Sequence, residues 1–484
     1  MLGCSPRQAR VVAALLVCAI AHPALATNVF TSYANDFIDP NLLPSQYGSN
    51  MKGAQDTVIA WAEEMSSHGP WSVTFKPVVA PSGDKHDYMS WAPYQWPDCS
   101  NVGNKTALSK YLMRKQCNYV FRDGQVNPDR TIPNDFQSFY NLSDAVLHNA
   151  LAWSFQNQSS STYSQNAVKY IKTWFLDSDT RMNPNLNYAQ MNLGPAGQKG
   201  EYTGILDLRM LAKVVSGVLL LRKRGSTDWT GDLDAQFVAW CKDYIGWLQS
   251  APTAKQAAAS NNNHGTHYVG QLMALMVMVG DNKGATTFGR KYFGTTFKGQ
   301  IAAGGDQPME ASRSRPFHYR NFNIAGMITA ARLLKYADPT SNVWNTTAGS
   351  AHGYATIRTT VDFMLSPSSS AARTKESDVA FEVYPNVAAV AAVYGDPQGT
   401  YKRFLDQSGF SYTQDAFWVW DQPREAGTRS ENAKMAPNSI AGSGSAAAQT
   451  TTVVGSGTGV GATAATMVGA IAAIVARWLL MDWT

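Results

Sequence analysis

Gly204-Ile205-Leu206-Asp207-Leu208-Arg209-Met210-Leu211-Ala212-Lys213-Val214-Val215-Ser216-Gly217-Val218-Leu219-Leu220-Leu221-Arg222 carries apolar side chains at Ile205, Leu208, Leu211, Val214, Val215, Val218 and Leu219. Steps of three and four are the period of an α-helix, so the spacing predicts one helix over 204–222. The same signature recurs outward in both directions. Residues 142–156 carry Ala145, Val146, Leu147, Leu151, Ala152 and Phe155, and 164–175 carry Ala167, Val168, Ile171, Trp174 and Phe175. It returns at 233–249, 268–279, 285–293, 323–336 and 354–364. Gly, Pro, Asn and Asp clusters separate these stretches, and strand-like alternation is scarce. Successive helices of similar length read as antiparallel pairs, so the expected fold is mainly α, an (α/α) toroid.

The flanks differ from this centre. Residues 27 to about 140 hold Pro40, Pro44, Pro70, Pro77, Pro81, Pro93 and Pro97 among many aromatics, which predicts long loops with short helices, one over 56–65. Residues 1–26 have the build of a secretory signal. Arg7 and Arg10 precede an apolar run from Val11 to Ile20, and Ala24-Leu25-Ala26 makes a small-residue cleavage site. The folded domain is expected over 27–424. Residues 425–459, rich in Gly, Ser, Thr and Ala, cannot bury a core and read as a flexible linker. In 460–484 a mainly apolar tail follows that spacer, with small residues at Gly442-Ser443-Gly444-Ser445, the order of a glycolipid-anchor signal. Arg477 and Asp482 depart from that pattern, and a single-pass helix or an unstructured end are the other two readings.

Four sequons, at Asn104, Asn141, Asn157 and Asn345, agree with a eukaryotic secretory route to the cell exterior. Of five cysteines, Cys4 and Cys18 leave with the signal. Cys99 and Cys117 flank a short loop and are expected to pair in an oxidising compartment. Cys241 lies in the apolar pattern of Phe237, Trp240, Tyr244 and Trp247 and reads as a buried thiol. A net charge of +5 on 484 residues, with no Lys/Arg block, gives nucleic-acid binding little support. It suits an anionic partner weakly. Oligomeric state is not encoded in any of these features.

Two short segments concentrate chemistry. Asn261-Asn262-Asn263-His264-Gly265-Thr266-His267-Tyr268 is followed about fifty residues later by Glu310-Ala311-Ser312-Arg313-Ser314-Arg315-Pro316-Phe317-His318-Tyr319. They bring together an amide, an imidazole, a guanidinium and a phenol. Cleaving a uronic-acid polymer by β-elimination needs three acts. The carboxylate must be neutralised, a base must take the C5 proton, and an acid must protonate the departing O4. Asn263 or a neighbouring Asn, with His264 and Arg313, can donate to the carboxylate. Tyr319 can serve as base and acid if Arg313 lowers its pKa from an unperturbed value of about 10. In mannuronate and glucuronate the C5 proton and O4 share one face of the ring, which suits a single shuttle; guluronate would need a separate base such as His264.

Each residue also has a structural reading. Asn261 to Asn263 are ordinary loop and helix-capping residues, His264 could be a capped loop histidine and His267 could face the core, while Arg313, Arg315 and Arg320 could form a solvated face and Tyr319 could be a packed aromatic. His264 and His267 form an HxxH, but no acidic third ligand stands nearby, so neither metal nor any other cofactor is expected. Upstream, 85–98 is dense in aromatics. Tyr88, Trp91, Tyr94 and Trp96 offer stacking faces for sugar rings, while Lys85 and His86 offer partners for carboxylates. With Asn262, His267, Arg315 and His318 these make the candidate substrate-binding set.

Lys85-His86-Asp87-Tyr88 with Trp96-Pro97-Asp98, Arg122-Asp123-Gly124-Gln125-Val126-Asn127-Pro128, Asn262-Asn263-His264-Gly265-Thr266, and Gln307-Pro308-Met309-Glu310 with Arg313 and Tyr319 occur in one order along the chain. In that combination the sequence resembles the alginate lyase superfamily over about residues 55–390, most nearly its glucuronan and polymannuronate lyase branch. The resemblance implies an incomplete (α/α) toroid whose cleft holds Asn263, His264, Arg313 and Tyr319, with the tyrosine as base and acid and the others on the carboxylate. It departs from the family at His267, where an aromatic is common, and at Ala311-Ser312-Arg313-Ser314, where Leu-Ala-Arg-Thr is common. Both bear on substrate preference more than on reaction type. The expectation is a lyase on a 1,4-linked glucuronan or mannuronate-type polymer, leaving a 4,5-unsaturated uronate. Two rivals stand beside it: a glycoside hydrolase using Asp207 and Glu310 as paired carboxylates, and a non-catalytic glycan-binding protein using Trp91, Tyr94 and Trp96.

Overall fold

A helix buried on every side needs apolar or internally bonded residues all round, whereas a helix facing water on one side needs a single apolar stripe. Both kinds alternate along this chain. The computed structural model describes residues 37–41, 43, 49–103, 108–155, 161–347 and 355–422. Its principal helices are α1 (Lys52–His68), α2 (Asp135–Phe155), α3 (Ser161–Ile171), α4 (Leu211–Arg224), α5 (Gly231–Ser250), α6 (Asn263–Met278), α7 (Asn282–Gly294), α8 (Pro316–Ala337), α9 (Ile357–Leu365) and α10 (Val383–Tyr394). Helix α6 is buried at all 16 positions. Helix α5 buries Phe237, Trp240, Cys241, Tyr244 and Leu248, packs Leu233, Val238, Ile245 and Trp247 half-buried beside them, and exposes most of its charged and polar residues.

Inner helices α2, α4, α6 and α8 pack side by side, α2 on α4, α4 on α6 and α6 on α8, while α1, α3, α5 and α7 cover them from outside. The chain is therefore mainly helical, in the paired arrangement of an α/α toroid. Its strands are few and short. β1 (Met89–Trp91) runs parallel to β4 (Tyr188–Met191), and β2 (Gln95–Asp98) runs antiparallel to β3 (Asn118–Phe121).

The expected single helix over 204–222 is two elements. Tyr202–Leu208 is a 3-10 turn, the chain breaks at Arg209 and Met210, and α4 starts at Leu211. The cause is Asp207. Buried beneath the cleft, it accepts hydrogen bonds from Tyr88 Oη (3.1 Å), Gln190 Nε2 (2.8 Å) and Ser90 Oγ, so the turn is tied to β1 and β4 and cannot continue the axis of α4. Helices α6 and α8 begin earlier than their apolar periodicity indicated, at Asn263 and Pro316. That puts Asn263, His264 and Tyr319 inside the first turns of helices, with Arg313 in the bend that leads into α8.

Cys99 and Cys117 form a disulfide across the segment between β2 and β3, and Cys241 is a buried free thiol. Among the described residues no helix is long and apolar enough to cross a membrane. Asn141 lies in α2, where its side chain accepts from Gln137 Nε2 at 2.9 Å, and Asn345 ends a short 3-10 turn. The signal, linker and tail, Asn104 and Asn157 lie outside the described residues.

Candidate active site

Helices α6 and α8 both start at one cleft of about 420 Å³, and the first turn of each is fixed from a distance. Asn262 caps α6: its Oδ1 accepts the backbone N–H of His264 at 3.2 Å. Glu310 holds the next residue, accepting Asn263 N and Asn263 Nδ2 at 2.8 Å each. A Cβ on Gly265 would sit 2.0 Å from the Ser260 carbonyl, so only glycine lets this turn approach its loop so closely. Helix α8 starts with Pro316, and Glu376 accepts its Phe317 and His318 backbone N–H groups at 2.9 Å each. The first N–H groups of both helices are thus taken by buried carboxylates, Glu310 for α6 and Glu376 for α8.

Tyr319, in the first turn of α8, is 5 % exposed. Its hydroxyl accepts Arg313 Nη2–H at 2.7 Å and lies 2.7 Å from the Tyr94 hydroxyl. The Arg313 guanidinium carbon also stands 3.7 Å from the centre of the Tyr319 ring. Arg313 is held in turn by Asp123, through Nη2 to Oδ1 at 2.6 Å and Nε to Oδ2 at 3.3 Å. Asp123 also accepts Ser314 N at 2.9 Å. The 122–128 motif now has a physical meaning. Asp123 grips the 313–314 corner, Gly124 takes a left-handed φ of 69° against Ser314, and Asn127 caps the next turn and donates to Gln95 O. Burial alone would raise the Asp123 carboxyl, but Arg313 and Ser314 outweigh it and hold it below the usual carboxylate range.

Two electrostatic expectations are corrected. Burial raises Tyr319 above the ordinary phenol value, Tyr94 adds to the rise, and Arg313 only partly opposes them. The resting side chain is a protonated phenol, not a phenolate. His264 is likewise not a resting donor to a carboxylate. Because Asn262 Oδ1 already accepts a backbone N–H, it must also be the acceptor for His264 Nδ1 at 3.0 Å, so Nδ1 carries the proton. Burial, aided by Arg313, lowers His264 to about 4. At neutral pH its Nε2 is a lone pair.

All four candidate catalytic residues, Asn263, His264, Arg313 and Tyr319, line this cleft, as do Tyr94 and Asn262. The remaining candidates do not. Lys85 is exposed away from it, and His86 donates Nδ1–H to Arg181 O at 2.6 Å. Tyr88 is wholly buried on Asp207, and Trp91 packs in a small core under the Arg114 guanidinium. Trp96 donates Nε1–H to Gln125 O and lies beneath Arg122. His267 packs on the Phe322 ring at 4.2 Å. Arg315 pairs with Asp378 and His318 with Glu382, contacts that anchor the turn presenting Tyr319. Asp207 and Glu310, the carboxylates of the hydrolase reading, are 2 % and 1 % exposed and occupied by the bonds described above. Among the described residues no group of three or more His, Cys, Asp or Glu side chains is placed to hold a metal ion.

Other cleft residues escaped sequence reasoning. Phe121 is 62 % exposed at the rim, its ring 6.0 Å from that of Tyr94. Gln190, Asn192 and Tyr202 come from β4 and the turn after it, and Arg130, Arg209 and Phe136 from behind. Gln190 holds a positive φ of 47°, a strained backbone for a residue with a side chain. Its N–H donates to Ser90 Oγ at 2.7 Å, which fixes it over the cleft.

The model of the family described as alginate lyase matches residues 72–371. The chain belongs to the alginate lyase family. It is accordingly a polysaccharide lyase, and its substrate is an anionic polysaccharide. An alginate lyase from Bacteroides ovatus has a similar solved structure, with a TM-score of 0.67 and 26 % identity over 77 % of this chain and 94 % of that one. Alginate lyase A1-III from Sphingomonas species A1 covers 74 % of this chain and 92 % of its own, at 13 % identity and a TM-score of 0.40, too slight a likeness to argue from. No curated protein matches significantly.

Proposed function

We propose that this lyase cleaves a 1,4-linked glucuronan or mannuronate-type polymer by β-elimination, with Tyr319 moving the proton. The observation that carries the reading is the Arg313–Tyr319–Tyr94 contact in the cleft that also holds His264. In the free enzyme Tyr319 holds its proton and His264 Nε2 is empty. A bound uronate brings negative charge beside His264 and favours its cationic form. The Tyr319 proton passes to the imidazole, and Arg313 holds the resulting phenolate. His264 then donates Nε2–H to the carboxylate, Tyr319 takes the C5 proton, and the same phenol returns a proton to O4 as the C4–O4 bond breaks. No oxidant, metal or water is consumed. The product carries a 4,5-unsaturated uronate.

Purified enzyme incubated with glucuronan, polymannuronate, polyguluronate and hyaluronan tests this. Ultraviolet absorbance from the new double bond should rise on glucuronan or polymannuronate, and a rise on polyguluronate alone would overturn the same-face shuttle. The sequence at both ends supports a secreted enzyme held at the cell surface by a glycolipid, with sequons that would carry glycans. Release of the activity from cells by a glycolipid-cleaving phospholipase tests that anchorage; activity that stays with the membrane would exclude it.

A further inference from the structure

A single apolar side chain in water needs no explanation, but Phe121 is placed where water is displaced in use. It is 62 % exposed, and it forms part of the wall of the cleft that holds Tyr319. The pairing of β2 with β3 sets Gln95 opposite Phe121 and Trp96 opposite Val120. Residues directly opposite in an antiparallel pair carry their side chains on one face, so Gln95 and Phe121 stand side by side, and both line the cleft. On the other face Trp96 takes the Arg122 guanidinium over its ring. Among the described residues the half-buried Gln95 side-chain amide has no hydrogen-bond partner, while its main chain is held by Ala92 and Asn127.

An open aromatic ring beside an unpaired amide suits a pyranose. The C–H groups on one face of the sugar lie on the aromatic, and the hydroxyls at its edge exchange hydrogen bonds with the amide. The platform is also fixed in place. A ladder of two strands is marginally stable alone, but the Cys99–Cys117 disulfide closes this one just beyond Asp98 and Asn118. At the opposite end Asp123 grips Arg313 and Ser314. The Phe121 ring meets the Tyr94 ring at 6.0 Å and 84°, and the Tyr94 hydroxyl lies 2.7 Å from that of Tyr319. One phenol ring therefore separates the open face of Phe121 from the hydroxyl that moves the proton.

We propose that Phe121 and Gln95 form a sugar-binding subsite beside the cleavage point, where Phe121 stacks on a pyranose ring of the bound polymer and Gln95 hydrogen-bonds its hydroxyls. This assignment rests on the polyuronate reading above and adds to it a charge-independent hold on a sugar unit next to the one that loses its C5 proton.

The test is steady-state kinetics on the uronate polymer that the wild-type enzyme cleaves, followed by double-bond absorbance at low and at high salt. Phe121→Ala should raise KM by about 3- to 10-fold, the scale of one lost ring contact, with the loss carried by KM and not by kcat. Phe121→Leu, apolar but without a flat face, should do the same, and Phe121→Tyr should restore the parent KM. Gln95→Ala should raise KM by about 2- to 10-fold; it carries the test if the Phe121 variants do not fold. The ratio of variant to parent KM should be equal at both salt levels, since no charge is removed. A fall in kcat at unchanged KM would overturn the subsite, because it would make Phe121 a prop for Tyr94. Unchanged KM in either alanine variant, rescue by leucine, or a ratio that collapses at high salt would overturn it as well. No double bond formed by the wild-type enzyme on any uronate polymer would overturn the polyuronate reading first, and this assignment with it.

Discussion

Replacing Asp123 by Asn should slow catalysis without unfolding the protein. Asp123 grips Arg313 by two bonds and the Ser314 N–H by a third, and Arg313 in turn donates to Tyr319 Oη at 2.7 Å. The substitution removes the charge and places an amide N–H against one of three donors. Arg313 then loses its fixed direction, and with it the bond that holds the phenolate. A hydrogen bond to a charged partner contributes about 1.5–3 kcal/mol, and about 1.4 kcal/mol is a factor of ten in rate. The expected fall in kcat is therefore about 10- to 150-fold. Stability should move little, because the pair is partly exposed, at 22 % and 25 % of each side chain, and such pairs contribute about 1 kcal/mol or less. Initial rates of double-bond formation over a range of polymer concentration, with thermal unfolding alongside, separate the two effects. An unchanged kcat with a lowered Tm would refute the argument, since it would make Asp123 a stabilising residue with no hold on the chemistry.

Other outcomes follow from the same contacts. Because His264 titrates near pH 4 in the free enzyme, its lone pair is lost as pH falls, so kcat/KM should drop below about pH 4 to 5. Tyr319 is raised, so the resting phenol persists and no loss from that group is expected near pH 10; a kcat/KM that climbs steadily through the alkaline range would instead mean a phenolate is required in the free enzyme. Glu310→Ala should free the Asn263 amides and leave the first turn of α6 unpinned, lowering kcat/KM by tenfold or more; wild-type kinetics would show that Asn263 needs no support. Asp415 is buried, with its carboxyl raised to about 8 by desolvation, so the folded state binds its proton more tightly than the unfolded chain. Its contribution is complete below the unfolded value near 4 and is lost as pH rises through about 8. Asp415→Asn should therefore gain on the parent by on the order of a few kcal/mol between pH 5 and 9, read from denaturant unfolding; parallel pH curves would contradict the assignment.

What could be read from the chain follows physical lines. The helices were legible because their apolar period survives burial, and the two reactive segments were legible because amide, imidazole, guanidinium and phenol cluster within a few residues of helix starts. The break at Arg209 was not, since Ile205 and Leu208 are three apart and satisfy a 3-10 turn as well as an α-helix. It is decided by Asp207 meeting Tyr88 and Ser90, more than a hundred residues away. Aromatic density at 88–96 gave no direction: Tyr94 turns to the cleft, while Trp91 and Trp96 turn to Arg114 and Arg122. The sign of the Tyr319 shift depends on how deeply the hydroxyl is buried, which a neighbouring arginine in the sequence does not reveal. His264 was half legible, because Asn262 two residues earlier is a capping residue whose oxygen also fixes the imidazole tautomer.

The central claim is that Tyr319 drives an elimination and not a hydrolysis. Cleavage of glucuronan or polymannuronate in heavy-oxygen water tests it most directly, with the fragments weighed by mass spectrometry. The account predicts unsaturated ends with no solvent oxygen in the products, and a loss of turnover in Tyr319→Phe of three orders of magnitude or more, in line with removing a group that both takes and returns the proton. Solvent oxygen at the new ends, or full activity in that variant, would contradict it.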